Sequence, residues 1–427
     1  MNVAGERVAI HGVAHGGDGV GKADADPRTW LVAGALPGET VIAARSETRP
    51  RMIRGHSLEV VTPSEARVPA PCAVAGTCGG CGWQHVRPDA QARLKRDIVE
   101  GLLRRFEHPA ITVVASPAAL GYRRRARMHF EHTRAGLQLG FFGRKGVVDT
   151  PDCVVLDGPL RHAFAQLRTL ADVLPAHGEV HAISDGARAV LGVASSSDAL
   201  GQRVPLPPLR GDATSALTRI LDDVLVGVIA PGLAVGVTTL AIDGAGLEDM
   251  SIRTGPFAFA QAQAAQNAAL VAEVQDAAGR GHRRGLELYA GSGNFTRVLA
   301  PLCRTLEAVE LDPGGANNLQ AMAARLGVRG GRVQVRRESA TSTLARAAAA
   351  GEQFDLVVLD PPRGGLGLKA AKDLAKVASG RVIYVSCDPA TLARDLVVLT
   401  ATRRIGRITA FDMMPMTPEV EVVVSLV

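Results

Sequence analysis

Aromatic residues are scarce: Phe, Tyr and Trp make up 4% of the 427 residues. So few rings argue against broad base-stacking platforms and leave charge and backbone shape to carry recognition. Cysteine is also sparse, with six residues in the whole chain. No secretory leader is expected, because Glu6 and Arg7 interrupt the start before any apolar run. A cytoplasmic protein is therefore expected, whose thiols serve as ligands or nucleophiles rather than as disulfides. The longest uncharged stretch, Val224 to Ile242, is split by Pro231-Gly232 and reads as two buried strands joined by a turn. No membrane partner is expected. An acidic excess is absent too, since the net charge is +6. Arginines cluster at Arg45, Arg49, Arg51 and Arg54, and again at Arg123, Arg124, Arg125 and Arg127. Such runs suit a polyanionic partner, a solvated basic face being the alternative.

The length calls for two or three domains. Residues 1–60 alternate short apolar runs, such as Val8-Ala9-Ile10 and Thr40-Val41-Ile42-Ala43, with glycine turns, which predicts a small closed barrel. Around Val32 to Glu39 the pattern resembles the TRAM domain, an OB-like RNA-binding barrel; a structural spacer is the alternative. Next, Cys72, Cys78 and Cys81 fall within ten residues of glycine-rich loop, and Cys153 follows about seventy residues later. Thiols at that density predict a metal centre. Spacing alone leaves open a zinc site, with or without His85, and an iron–sulfur cluster. Apolar residues recur every four from Leu94 to Phe106, marking a helix over 92–106. Residues 61–250 as a whole are expected to form a central α+β domain, with a surface loop over 195–209.

Beyond residue 251 the pattern sharpens. Strands are predicted at 285–289, 305–310, 332–336, 355–359 and 381–385, alternating with helices, so this part is α/β with a doubly wound, Rossmann-like parallel sheet. Strand-like runs at 407–411 and 420–427 close the chain. The first strand leads into Ala290-Gly291-Ser292-Gly293-Asn294-Phe295, which has GxG but lacks the third glycine of a dinucleotide fingerprint. Glu310 ends the second strand, where an acid can hold ribose hydroxyls. Asp360-Pro361-Pro362-Arg363 follows the fourth strand and Cys387 the fifth. All these loops leave a parallel sheet at one rim, so a nucleoside-bearing cofactor, a carboxylate and a thiol are expected to converge. Cys387 lies at the start of a helix, where unpaired N–H groups are expected to lower its pKa; a buried structural cysteine is the alternative.

Together these motifs resemble the S-adenosylmethionine-dependent RNA uracil-5-methyltransferases, in the branch that carries a TRAM domain and an iron–sulfur cluster. Tyr384 to Leu396 matches the family's nucleophile motif, Asp360 to Arg363 its fourth motif, and Leu288 to Thr296 its first. The resemblance implies Cys387 as nucleophile and, in Thr417-Pro418-Glu419-Val420-Glu421, Glu421 as general base. It implies cofactor contacts from Gln261, Tyr289, Asn294, Glu310, Glu338 and Asp360. It also implies a [4Fe–4S] cluster on Cys72, Cys78, Cys81 and Cys153, favouring iron–sulfur over zinc. The expected domains are a barrel at 1–60, the cluster-bearing domain at 61–250 and the methyltransferase domain at 251–427. The expected substrate is RNA, 23S rRNA first and tRNA second, acted on by a monomer. A non-catalytic RNA-binding protein on the same fold is the rival from another class. Four positions depart from the family pattern: Asp388 and Gln263, where Asn is usual, Met416 in place of His or Tyr, and Glu419 in place of His.

Overall fold

The computed structural model describes residues 5–24, 26–195, 208–242, 250–328 and 332–427. Five strands form a closed barrel in the order β1-β2-β3-β5-β4. They are β1 (Glu6–Val13), β2 (Gly19–Ala23), β3 (Asp26–Ala33), β4 (Thr40–Arg49) and β5 (Met52–Thr62). Its core is small: Val8, Trp30, Val32, Val41 and Ile53 are fully buried. The glycine-rich segment expected to be loop supplies β2 instead. The barrel wall requires small residues there, since a side chain at Gly21 would meet the Ala9 carbonyl oxygen at 2.5 Å. Of the barrel arginines, Arg45 is bound by Glu6 and Asp26 and Arg49 by Glu47, so part of the expected basic patch is neutralised internally.

The cysteine loop follows, and then α1 (Pro88–Leu103) and β6 (Thr112–Val114). Both were expected within the central domain but lie against the C-terminal sheet. The reason is visible in what α1 buries. Leu94 and Ile98 join Leu36 of the barrel and Trp83 of the cysteine loop, while Val99 and Leu103 enter the C-terminal core. Strand β6 extends the C-terminal sheet by pairing with its last-but-one strand.

The central sheet has the order β13-β12-β11-β10-β7-β8-β9. Its strands are β7 (Arg125–Thr133), β8 (Gly136–Gly143), β9 (Gly146–Asp149), β10 (His177–Ser184), β11 (Ala189–Ala194), β12 (Leu225–Ala230) and β13 (Leu233–Gly236). Helices α2 (Gly158–Arg168) and α3 (Ala213–Arg219) cover it. The uncharged run 224–242 therefore holds the hairpin β12–β13, turning at Pro231-Gly232, plus a third strand. That strand, β14 (Leu240–Ile242), pairs with β15 (Ile252–Thr254). Most of the loop expected at 195–209 lies outside the described residues.

The C-terminal part is the expected α/β layer structure. Its strands are β16 (His282–Leu288), β17 (Cys303–Val309), β18 (Val333–Arg336), β19 (Phe354–Leu359), β20 (Ala378–Ser386), β21 (Ile405–Phe411) and β22 (Glu421–Leu426). The sheet order is β18-β17-β16-β19-β20-β22-β21-β6. The pairs from β18 to β20 are parallel, and β22 runs antiparallel to both neighbours. Helices α4 (Ala264–Ala278), α5 (Thr296–Leu299), α6 (Pro313–Val328), α7 (Ala340–Ala349), α8 (Leu368–Val377) and α9 (Pro389–Leu399) flank it. Strands buried on both faces read as continuous apolar runs, which explains why Val382 to Val385 has no polar alternation. Among the described residues, no helix is long and apolar enough to cross a membrane.

One polar contact ties α1 to this sheet. The Lys95 ammonium, fully buried, bonds to the Asp412 carboxylate just after β21 and donates 3.0 Å to the Met414 carbonyl. Burial pushes the Lys95 pKa down while Asp412 pulls it back up. Removing one partner leaves an uncompensated buried charge. Asp412→Ala is therefore expected to lower unfolding free energy by about 3–5 kcal/mol in urea titration, and Lys95→Met/Asp412→Leu by much less. A single variant as stable as the parent would contradict this.

Candidate active site

Register places the two groups that matter most. In the antiparallel β20–β22 ladder Ser386 pairs with Val422, so the next rung beyond the sheet sets Cys387 against Glu421. Both side chains line one cavity of about 700 Å³ at the carboxyl rim of the parallel strands. Gln261, Tyr289, Glu310 and Asp360 line it as well. The sheet thus brings together six of the eight residues expected here from sequence. Glu338 lines an adjoining recess that shares Tyr289, Glu310 and Pro362 with the main cavity. Asn294 lines neither; its amide exchanges hydrogen bonds of 3.0 and 2.8 Å with Asn267 on α4.

The loop after β16 is shaped by backbone need. Tyr289 sits at φ 61°, a left-handed conformation that bulky residues rarely adopt, and turns the chain across the sheet rim. The Glu310 carboxylate then accepts from the Gly291 N–H at 2.8 Å and the Asp312 N–H at 2.6 Å. Two loops are thereby locked to one acid, which also lines the cavity. That disposition suits paired hydroxyls.

Electrostatics at the thiol run against the sequence expectation. Burial first, then the nearby Glu421 and Asp360 carboxyls, push Cys387 up to about 12, with Arg363 and the Cys387 backbone N–H opposing them. Other donors at the helix start are engaged elsewhere. Asp388 caps α9, accepting from Ala390 N–H at 2.9 Å and Thr391 N–H at 3.0 Å, so those donors are spent on a carboxylate. Burial also raises Asp360 to about 7 and Glu421 well above the usual carboxylate range, the two repelling each other. Neither Glu421 oxygen has a hydrogen-bond partner recorded among the described residues, and Oε1 is buried. An unpaired acidic side chain and a thiol thus line the same open space.

Several cavity groups escaped the sequence reading. Arg363 binds Glu419 at 2.7 Å, which ties the departure at Glu419 to the fourth-motif arginine. Arg125 lies over the exposed Phe259 ring at 5.5 Å, and Arg123 lines both this cavity and the cysteine recess. The charge cluster around these arginines signalled an anion site; only folding shows which of them face inward. Gln263 does not reach the cavity. It is buried at the start of α4, and its amide donates 2.8 Å to the Ser116 hydroxyl.

Cys72, Cys78, Cys81 and Cys153 line one recess with no imidazole or carboxylate in its wall. Burial raises the pKa of Cys81 to about 11 and moves Cys78 and Cys153 the same way. Among the described residues no three His, Cys, Asp or Glu side chains stand close enough together to hold a metal ion. His85 lies apart from the recess, and burial holds its pKa down to about 4 beside Arg67.

Removing a neighbouring charge should make the thiol easier to ionise. Glu421→Gln is expected to shift the pH midpoint of Cys387 alkylation by iodoacetamide downward from about 12, accelerating the reaction at pH 9. An unchanged or raised midpoint would show that the carboxylate does not act on the sulfur.

Comparison with known proteins agrees over nearly the whole chain. A family model described as tRNA (uracil-5-)-methyltransferase matches residues 239–427. The 23S rRNA (uracil(1939)-C(5))-methyltransferase RlmD of Chromohalobacter salexigens is 34% identical, covering 97% of this chain and 87% of its own. The enzyme of the same name from Alkalilimnicola ehrlichii is 33% identical over 97% of this chain and 94% of its own. The fold matches a crystal structure of Pyrococcus abyssi tRNA (uracil-54, C5)-methyltransferase in complex with S-adenosyl-L-homocysteine. The TM-score is 0.73 at 23% identity, covering 99% of this chain and 100% of that one. Identity of this extent, added to a thiol and carboxyl groups lining one cavity at the sheet rim, makes the chain a member of the RNA uracil-5-methyltransferase family.

Proposed function

We propose that this enzyme transfers a methyl group from S-adenosylmethionine to carbon 5 of a uridine in 23S rRNA, with Cys387 as nucleophile and Glu421 as base. The reading rests above all on the β20–β22 register, which sets these two side chains opposite each other just beyond the last rung, in one cavity wall. Uracil carbon 5 is too weak a nucleophile to be methylated directly. Cys387 reacts as the thiolate, its proton released to solvent: the sulfur adds to carbon 6, forming the S–C6 bond and moving electron density through carbon 5 onto the carbonyl at carbon 4. Carbon 5 then takes the methyl group from the sulfonium donor, which leaves as the neutral thioether. Glu421 removes the carbon-5 proton; the C5–C6 double bond re-forms and expels the sulfur. Asp360, enclosed and raised to about 7, is suited to hydrogen-bond the base or cofactor rather than to carry charge beside a thiolate.

Cofactor placement follows the same rim. Glu310 is assigned the ribose hydroxyls, with Gln261 and Tyr289 along the donor and Glu338 in the adjoining recess. Asn294 acts, in this reading, by fixing the glycine loop through Asn267. A target base has to leave any stack to enter the cavity, at a cost of a few kcal/mol that phosphate contacts can offset. Arg123 and Arg125 at the wall are the candidates for such contacts. The 23S substrate is supported by relatives matching at 33–34% identity over 97% of the chain; a tRNA substrate is the second reading, favoured by the names of the family model and the matching crystal structure.

We also assign the four recess cysteines to a [4Fe–4S] cluster. Four thiols with no imidazole or carboxylate beside them suit iron–sulfur ligation, and His85, standing apart, weakens the zinc alternative. Such a group would brace the loop that carries Trp83; no step of the methyl transfer runs through it.

Two experiments test these assignments. Cys387→Ala is expected to abolish turnover while S-adenosylmethionine still binds, and Glu421→Gln to accumulate a denaturant-resistant enzyme–RNA adduct. Turnover by the first variant, or an adduct trapped by Glu419→Gln instead, would overturn the roles given. Anaerobically purified protein should contain about four iron and four sulfide per chain and absorb near 400 nm; a colourless product with stoichiometric zinc would overturn the cluster.

A further inference from the structure

Residues 412–420, which lead into β22 and Glu421, form no helix or strand. They are held almost entirely by groups from the first third of the chain. Lys95 takes the Asp412 carboxylate and the Met414 carbonyl, and the Tyr122 hydroxyl donates 3.0 Å to the Pro415 carbonyl. Met416 is the centre of this arrangement. It is buried, yet it stands at φ 65°, which a long side chain adopts only when its surroundings hold it there.

The holding groups are identifiable. The Met416 N–H donates 2.7 Å to the Gln91 side-chain oxygen, and its carbonyl accepts from the Trp83 N–H at 2.9 Å. The Gln91 amide nitrogen donates to the Val86 carbonyl at 2.9 Å and approaches the Met416 sulfur at 3.5 Å. Gln91 itself is fully buried. Every polar atom of its amide is thus committed either to the strained residue or to the cysteine loop that also grips that residue. The barrel adds one contact: the Trp83 indole N–H donates 3.2 Å to the Gly17 carbonyl, and a side chain at Gly17 would strike that indole.

We propose that Gln91 is a positioning residue for the proton-removal step. By holding Met416 in the left-handed region, it fixes the turn five residues before Glu421 and so the aim of that carboxylate across the cavity at the carbon-5 proton. The assignment rests on Glu421 being the base. It predicts a selective defect: sulfur addition and methyl transfer proceed, and elimination slows.

The test compares Gln91→Met, which keeps length and helix compatibility but removes both amide contacts, with Gln91→Glu, which keeps an acceptor for the Met416 N–H. Glu421→Gln runs in parallel. Each is assayed for kcat, for KM of an RNA fragment carrying the target uridine, for S-adenosylmethionine affinity and for the adduct fraction after denaturing quench. Gln91→Met is expected to lose about tenfold or more in kcat with KM and cofactor affinity within about twofold of the parent, and to accumulate adduct. Gln91→Glu should recover part of the kcat and show less adduct. A role limited to folding would lower the active fraction without raising adduct per active site. If Gln91→Met does not fold, Gln91→Glu alone decides, through adduct accumulation or its absence. Adduct with Glu421→Gln but none with either Gln91 variant overturns the positioning role; no adduct with Glu421→Gln overturns the base assignment beneath it.

Discussion

The antiparallel ladder between β20 and β22 is the constraint on which the site depends. Parallel strands alone would deliver the glycine loop, Glu310, Asp360 and Cys387 to one rim, since each strand ends there. They could not deliver a residue that begins a strand. Reversing the last strand does this: β22 starts at the rim where β20 finishes, so a carboxylate and a thiol separated by 34 residues of chain become neighbours across one rung. A one-residue slip would turn Glu421 to the opposite face of the sheet. Such a slip is opposed by the buried faces of Val422, Val423 and Val424, each packed in a core on its own side.

Charge distribution then decides how the site behaves before substrate arrives. Five acidic side chains, Glu310, Asp312, Asp360, Glu419 and Glu421, share the cavity wall with the thiol; Glu421 and Asp360 act on the sulfur, and Arg363 opposes them there. Arg363 is partly occupied by Glu419, and the donors at the start of α9 by Asp388. The thiol is accordingly held toward its protonated form. A cation entering that wall would offset the carboxylates and lower the thiol pKa. Both Asp388 and Glu419 stand where the family usually carries other side chains. In this chain both side chains therefore bear on the charge around the thiol.

Much of this was legible from sequence because it follows local rules. Strand-end loops at Gly291, Asp360 and Cys387 announce a common rim, and the prediction of strands at 285–289, 305–310 and 355–359 agrees with β16, β17 and β19 to within a few residues at each boundary. What escaped depends on tertiary neighbours. Glycines 19 and 21 looked like loop, because nothing local reveals the carbonyls that crowd β2. The thiol pKa moves up where a low one was expected, because burial and the Glu421 and Asp360 carboxyls, which nothing local announces, outweigh the donors near it. Helix α1 was assigned to the wrong neighbours, since an amphipathic pattern states that a face is buried without naming what buries it. Gln91 and Lys95 on that face gave no signal at all: polar residues at buried positions read as surface until their partners, more than 300 residues away, are known.

Those two side chains also bear on how the molecule can be divided. A doubly wound sheet with its own helices has a self-sufficient core, and Leu356, Val382 and Val422 are fully buried within it. Stability of that core does not extend to residues 412–416, whose recorded polar contacts run largely to Trp83, Gln91, Lys95 and Tyr122. Irregular backbone with unsatisfied buried groups is unfavourable and rearranges when its partners are removed. The C-terminal part could thus keep its fold when cut from the rest and still lose the placement of Glu421. Barrel, cysteine loop and α1 consequently bear on the placement of residues 412–416 through the contacts they make with them or with one another.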